Sequence, residues 1–174
     1  MMRYNVAQLL KAHSGASRQY ELEADITGLD KEIEVRDLLR GTVRLVRTVD
    51  SVLVTGQLRT VVELTCDRCL EPFLVPVEIN LQEDFRPSID ITTGAHLPVV
   101  EVEAGGGWID EHHVLDLTEV VRQRILLTIP MHPLCRPDCA GLCPECGHNM
   151  NEGPCQCQRR IGDPRWAALK DLLS

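Results

Sequence analysis

The sequence predicts an α+β fold, an antiparallel β meander or partial barrel with few helices, followed by a cysteine-rich C-terminal module. Three observations predict it. Apolar and polar residues alternate repeatedly between Tyr20 and Leu81, helical spacing is confined to short segments, and six of the eight cysteines fall between Cys135 and Cys157.

Along the chain, Asn5-Val-Ala-Gln8 reads as a helix start, with Asn5 able to cap the first free amides and Val6, Leu9 and Leu10 on one face. Tyr20, Leu22, Ala24 and Ile26 alternate with Glu21, Glu23 and Asp25, the period of a half-buried strand. Thr42–Val49, Val52–Thr55 and Leu58–Cys66 are rich in Val, Leu and Thr and read as strands, with turns at Asp50-Ser51 and Gly56-Gln57. Phe73 to Leu81 alternates again, and Pro76, which lacks an amide hydrogen, places that strand at an edge. Residues 86–107 are irregular, with a short strand at Val99–Val102 and a flexible connector at Gly105–Gly107. Asp116-Leu-Thr-Glu119 starts a helix that runs to residue 129, carries Leu117, Val120, Val121, Ile125 and Leu126, and stops at Pro130. Asp163-Pro164 starts a last short amphipathic helix with Trp166, Leu169, Leu172 and Leu173. The expected division is a core at residues 1–130 and a cysteine module with the C-terminal helix at residues 131–174.

Hydrophobic residues are 44% of the 174-residue chain and charged residues 25%, as in ordinary globular proteins, while aromatics are only 3%, so the core is expected to be aliphatic. No run of ~18 apolar residues is present to cross a bilayer, and Met1-Met2-Arg3-Tyr4-Asn5 leads into no long apolar stretch, so the expected location is cytoplasmic, with no membrane partner. The net charge of −8 argues against coating nucleic acid through an overall basic field. The acidic excess is concentrated at residues 61–129, which carry 13 acidic and 4 basic side chains. An RNA-facing surface would therefore use Arg36, Arg40, Arg44, Arg47 and Arg59 or the C-terminal arginines, whose plainer reading is a set of solvated faces.

Cysteine carries the strongest signal. Cys143-Pro-Glu-Cys146-Gly147 can present two sulfurs to one metal from a tight turn, with Gly147 supplying the backbone angles the turn needs, and Cys155-Gln-Cys157 can complete a tetrathiolate site. This is a zinc-knuckle-like arrangement. Cys66-Asp-Arg-Cys69 has the same spacing but lies between two expected strands. It lacks the helix that would start at a redox Cys-x-x-Cys. The preferred partition is Cys143, Cys146, Cys155 and Cys157 in one Zn²⁺ site and Cys66, Cys69, Cys135 and Cys139 in a second. A single site, or one with His132 or His148 in place of a thiolate, stays open. Buried free thiols and local disulfides are the plainer alternatives, and iron–sulfur ligation is compatible with thiolates. Four cysteine ligands leave no coordination position for water, which favours a structural role over hydrolysis. His112-His113, beside Asp110, Glu111 and Asp116, reads as a surface loop, and neither a P-loop nor a Gly-x-Gly-x-x-Gly phosphate loop is present, so no small-molecule substrate is evident.

Cys66-Asp-Arg-Cys69-Leu-Glu-Pro-Phe73, Asp116-Leu-Thr-Glu with Ile125-Leu-Leu-Thr-Ile-Pro130, Pro133-Leu-Cys135, Cys139-Ala-Gly-Leu-Cys143-Pro-Glu-Cys146-Gly147, Asn151-Glu-Gly-Pro-Cys155-Gln-Cys157 and Asp163-Pro-Arg165 together resemble the YceD family, in its cysteine-rich form. The resemblance implies a bacterial ribosome-biogenesis role in synthesis, processing or stability of large-subunit (23S) ribosomal RNA, and no catalytic residue. Three classes of function follow. The first is a noncatalytic assembly factor that binds precursor ribosomal RNA or a ribosomal protein, the second a redox or RNA-processing enzyme using the cysteines, and the third a protein-binding adaptor without RNA contact.

Overall fold

The computed structural model describes residues 2–31, 33–97 and 107–157. In chain order its elements are β1 (Arg3–Asn5), α1 (Ala7–Leu10), β2 (Ser17–Ala24), β3 (Glu34–Val35), β4 (Leu39–Arg47), β5 (Val52–Thr65), β6 (Pro72–Pro87), β7 (Gly107–Ile109), β8 (Val114–Asp116) and α2 (Thr118–Thr128). The chain forms two compact units, one from the residues up to Leu64 with Phe73–Pro133, the other from Thr65–Pro72 with the residues after Pro133. The expected short strand at Val99–Val102 and the helix after Asp163 lie outside the described residues.

In the first unit the strands form one curled sheet, a half-barrel, in the order β1-β8-β7-β6-β5-β4-β2, with β3 paired to β5. The alternation read from the sequence decides which way each strand faces. Leu22 and Ala24 of β2, Val43 and Leu45 of β4, Val54, Leu58 and Val62 of β5, and Val77, Ile79 and Leu81 of β6 are all buried in a single core. Leu9 and Leu10 of α1 and Val121 and Ile125 of α2 join that core, which is aliphatic apart from Phe85. Buried Glu83 of β6 accepts two hydrogen bonds from the Arg124 guanidinium of α2, one of them at 2.9 Å, so a carboxylate taken out of water meets its counter-charge there.

Three expectations are corrected by the fold. The sheet is mixed, because β7 pairs parallel to β6, Phe85 to Pro87 facing Gly107 to Ile109. Residues 88–106 supply the long connection that a parallel pair requires. Gly56-Gln57 is no turn but the middle of β5. A Cβ on Gly56 would lie 2.7 Å from the Thr42 carbonyl oxygen and 3.0 Å from Val43 Cγ1, so this glycine is there for close strand approach. Gly107 likewise is no connector: a Cβ there would lie 2.2 Å from the Phe85 ring.

Elsewhere the local signals and the structure meet with small shifts. Asn5 Oδ1 accepts from the Ala7 amide at 3.1 Å, but α1 is a single turn. Asp116 Oδ1 accepts from the Thr118 amide at 2.9 Å, one residue before the formal cap at Leu117. Pro76 belongs to a strand lying between β5 and β7, yet β7 spans only the Phe85–Pro87 end of it, so Pro76 keeps an edge-like place without needing an amide donor. His112-His113 is the tight turn between β7 and β8, with the His112 and Val114 amides both donating to Asp110 Oδ1.

Candidate metal centre

The second unit is built from short loops around two groups of four cysteines, and its local structure begins with two turns of identical hydrogen bonding. In the first, Leu70 N donates to the Cys66 carbonyl at 2.9 Å and Cys66 N to the Glu71 carbonyl at 3.0 Å. In the second, Gly147 N donates to the Cys143 carbonyl at 2.9 Å and Cys143 N to the His148 carbonyl at 2.8 Å. Each turn brings both sulfurs of its Cys-x-x-Cys to one side and aims backbone N–H groups at the first sulfur, those of Arg68 and Cys69 at Cys66 and those of Glu145 and Cys146 at Cys143. The residue after the second cysteine takes a left-handed conformation, φ 71° at Gly147 and φ 60° at Leu70. Glycine does this freely, whereas leucine pays about 1 kcal/mol.

Cys66, Cys69, Cys135 and Cys139 form one quartet and Cys143, Cys146, Cys155 and Cys157 the other, with all four sulfurs of each within 4.8 Å of one another. Membership is that of the partition preferred from the sequence, and among the described residues no histidine enters either group. All eight cysteines are free thiols. The sulfur–sulfur distances are 3.8 Å for Cys66–Cys139, 3.7 Å for Cys69–Cys135 and 3.3 Å for Cys143–Cys155. A tetrahedron with metal–sulfur bonds of ~2.3 Å has sulfurs about 3.8 Å apart, whereas a disulfide is near ~2.05 Å. Both quartets therefore fit a four-coordinate thiolate-bound ion, and neither contains a disulfide.

Their electrostatics point the same way. The Cys135 amide, with those of Cys69 and Arg68, holds the Cys66 thiol down at about 6, and the amides of Cys146 and Glu145 do the same for Cys143. An N–H from the Asn151 carboxamide lowers Cys139. Burial pushes Cys135 up to about 12, and hydrogen bonding with Cys146 pushes Cys157 up to about 12. Each quartet thus contains a ready thiolate and a thiol that resists ionising beside it, the condition a bound cation relieves by supplying positive charge.

The first quartet draws its ligands from loops distant in sequence, and the contacts that join them are on backbone and polar groups. Leu142 N donates to the Arg68 carbonyl at 3.1 Å, and Arg68 Nη1 donates to the Cys139 carbonyl at 3.0 Å. A Cβ at Gly141 would lie 3.1 Å from that same Arg68 oxygen. Asn151, given no role by sequence reasoning, is central here. Its Nδ2 donates to Cys139 Sγ at 3.3 Å, and its Oδ1 accepts from the Ala140 amide at 2.8 Å and from Arg136 Nη2 at 2.5 Å. An Asn-x-Asn ahead of the last cysteine pair was the available signal, since a carboxamide can serve sulfur and amide at once. Neither Cys-x-x-Cys starts a helix, so the geometry lacks the usual activated redox thiol at a helix N-terminus.

The arginines proposed for RNA contact are mostly occupied. Arg36 pairs with Glu34 and Glu63, Arg40 with Glu23 and Asp37, and Arg59 with Glu78. Arg44 donates to Ser17 Oγ and Arg47 to the Ser51 carbonyl.

No helix among the described residues is long and apolar enough to cross a membrane. No solved structure matches this chain. The profile of the large ribosomal RNA subunit accumulation protein YceD matches residues 54–173. An uncharacterized protein of Mycobacterium tuberculosis is 35% identical over 166 residues, 92% of this chain and 70% of that protein. The chloroplastic large ribosomal RNA subunit accumulation protein YCED homolog 1 of Arabidopsis thaliana is 26% identical over 174 residues, covering 86% of this chain and 54% of its own length. Its namesake in Zea mays is 32% identical over 127 residues, covering 60% and 43% respectively. With a profile match that includes both cysteine quartets and a relative 35% identical across 92% of the chain, this protein belongs to the YceD family, whose role lies in ribosome biogenesis.

Proposed function

We propose that this protein is a noncatalytic, cytoplasmic assembly factor for the large ribosomal subunit, stabilised by two zinc ions and acting by binding precursor 23S ribosomal RNA, a ribosomal protein or both. Cys66, Cys69, Cys135 and Cys139 would hold one ion, and Cys143, Cys146, Cys155 and Cys157 the other. The observation that carries the reading is that each group gathers four thiols within 4.8 Å of one another, with the 3.8 and 3.7 Å separations of the first group matching tetrahedral spacing. Such an ion has no position left for water or substrate, so it shapes loops rather than activating a nucleophile. Zinc is favoured over an iron–sulfur cluster because both Cys-x-x-Cys turns are compact knuckles suited to a single ion.

Two measurements test this. Elemental analysis of protein purified without added metal is expected to show about two zinc ions per chain. Depletion of the protein in cells is expected to lower mature 23S relative to 16S ribosomal RNA, with recovery on re-expression. An unchanged ratio would overturn the assembly reading, and metal-free folded protein would overturn the zinc reading.

A further inference from the structure

A cleft in the first unit combines an aromatic ring, an apolar floor and two arginines. Its volume is about 410 Å³, with Leu10, Ile91 and Leu97 as apolar lining and Trp108, Arg47 and Arg86 around it. Arg86 and Trp108 stand directly opposite each other in the parallel β6–β7 pair, which sets a guanidinium and an indole side by side on one face of the sheet. Trp108 is half-buried and Arg86 exposed.

The arginines of this cleft differ from those elsewhere on the sheet. Arg36, Arg40 and Arg59 are neutralised by carboxylates. Among the described residues Arg86 makes no ion pair, and the side chain of Arg47 spends one N–H on a backbone carbonyl. Guanidinium groups without a carboxylate partner bind an anion without first losing one. Asp90 also lines the cleft, but its Oδ1 already accepts from the Thr92 and Thr93 amides and the Thr93 hydroxyl. Asp50, on the same lining, is an acceptor suited to an exocyclic base amine.

We propose that this cleft takes one unpaired nucleotide of an RNA strand, its base against Trp108 and its phosphates at Arg86 and Arg47. A flat apolar ring next to anions is what an indole beside two guanidinium groups without carboxylate partners complements. The proposal rests on the RNA-binding half of the reading above and gives it a place on the core, away from the cysteine loops in sequence.

The test is fluorescence anisotropy of the full chain with a short, fluorescein-labelled, single-stranded oligoribonucleotide of mixed sequence, titrated at several salt concentrations. Arg86→Ala, at an exposed position, is expected to weaken binding several-fold and reduce the salt slope by about one. Trp108→Leu is expected to weaken it about tenfold, and Trp108→Phe to stay within about threefold of wild type. Circular dichroism checks the fold of each, and Arg86→Ala keeps the test decisive where a Trp108 variant fails to fold. Wild-type binding that is indifferent to Arg86→Ala would overturn the cleft and leave RNA binding elsewhere on the chain. No binding by the wild type at low salt would also overturn it and direct the assembly reading to a ribosomal protein, while the 23S ratio on depletion judges that reading independently.

Discussion

The turns at Cys66–Glu71 and Cys143–His148 share their hydrogen bonds, yet the quartets around them sit in different surroundings. In the first, Cys66, Cys69 and Cys139 are buried, at 0%, 3% and 3% exposure, and Arg68 and Asn151 bind the loop and the sulfur from outside. In the second, only Cys143 is buried, Cys146 is exposed, and Cys143, Cys155 and Cys157 line a cleft of about 700 Å³. The same turn thus produces a closed site where a distant loop covers it and an open one where its neighbours are local. Access to the sulfurs, rather than ligand chemistry, separates the two.

The largest expected effect comes from removing a ligand of the closed quartet. Structural zinc contributes about 10–16 kcal/mol to folding of small zinc modules, comparable with the whole stability of a domain. Cys66→Ser is therefore expected to lose about one zinc and unfold the cysteine unit, seen as protease sensitivity of residues 134–157. Cys146→Ser is expected to lose zinc from the open site with a smaller fall in melting temperature. Equal losses would erase the distinction between the sites.

Metal release should resolve them in time. With excess chelator and a chromogenic zinc indicator, release is expected in two phases at least about tenfold apart, because an incoming ligand must reach the sulfurs. Cys146→Ser should remove the fast phase, and a single phase in the wild type would mean that exposure does not govern release.

Acid should treat the quartets alike. Cys66 and Cys143 are both depressed to about 6 from an unfolded thiol value near 8.5–9. A depressed acid contributes stability that is fully present above its unfolded pKa and lost as pH falls through the folded one. Zinc retention by both sites is therefore expected to fall together on acidification, at a pH below about 6 because a bound ion holds its thiolates against protonation, followed by zinc release against pH, and widely separated midpoints would show that the two turns do not act alike.

Smaller changes sharpen the contrast. Asn151→Ala removes the N–H to Cys139 Sγ and is expected to weaken zinc at the closed site about 10–100-fold while sparing the other, measured by competition with a chelator. Gly147→Ala meets no atom within 4 Å, so its cost is backbone alone, about 1 kcal/mol in thermal melts. Leu70→Gly should offset that strain in the other turn and leave stability unchanged or slightly higher.

Local chemistry was legible in the sequence. Alternation placed the core faces of β2, β4, β5 and β6, the helical spacing after Asp116 located α2, and two Cys-x-x-Cys spacings marked the knuckles, because each signal lies within a few residues of the chain. Tertiary structure alone decided that β7 runs parallel to β6, that Gly56 is a close-approach position instead of a turn, and that Asn151 serves Cys139. It also decided that the 65–72 loop belongs with residues beyond 133, through Leu142 N to the Arg68 carbonyl and Arg68 to the Cys139 carbonyl. Apart from Asn151, whose Asn-x-Asn was a mark without a visible partner, these depend on backbone groups meeting across long sequence separations, and a backbone amide or carbonyl carries no residue-specific mark to be read in advance.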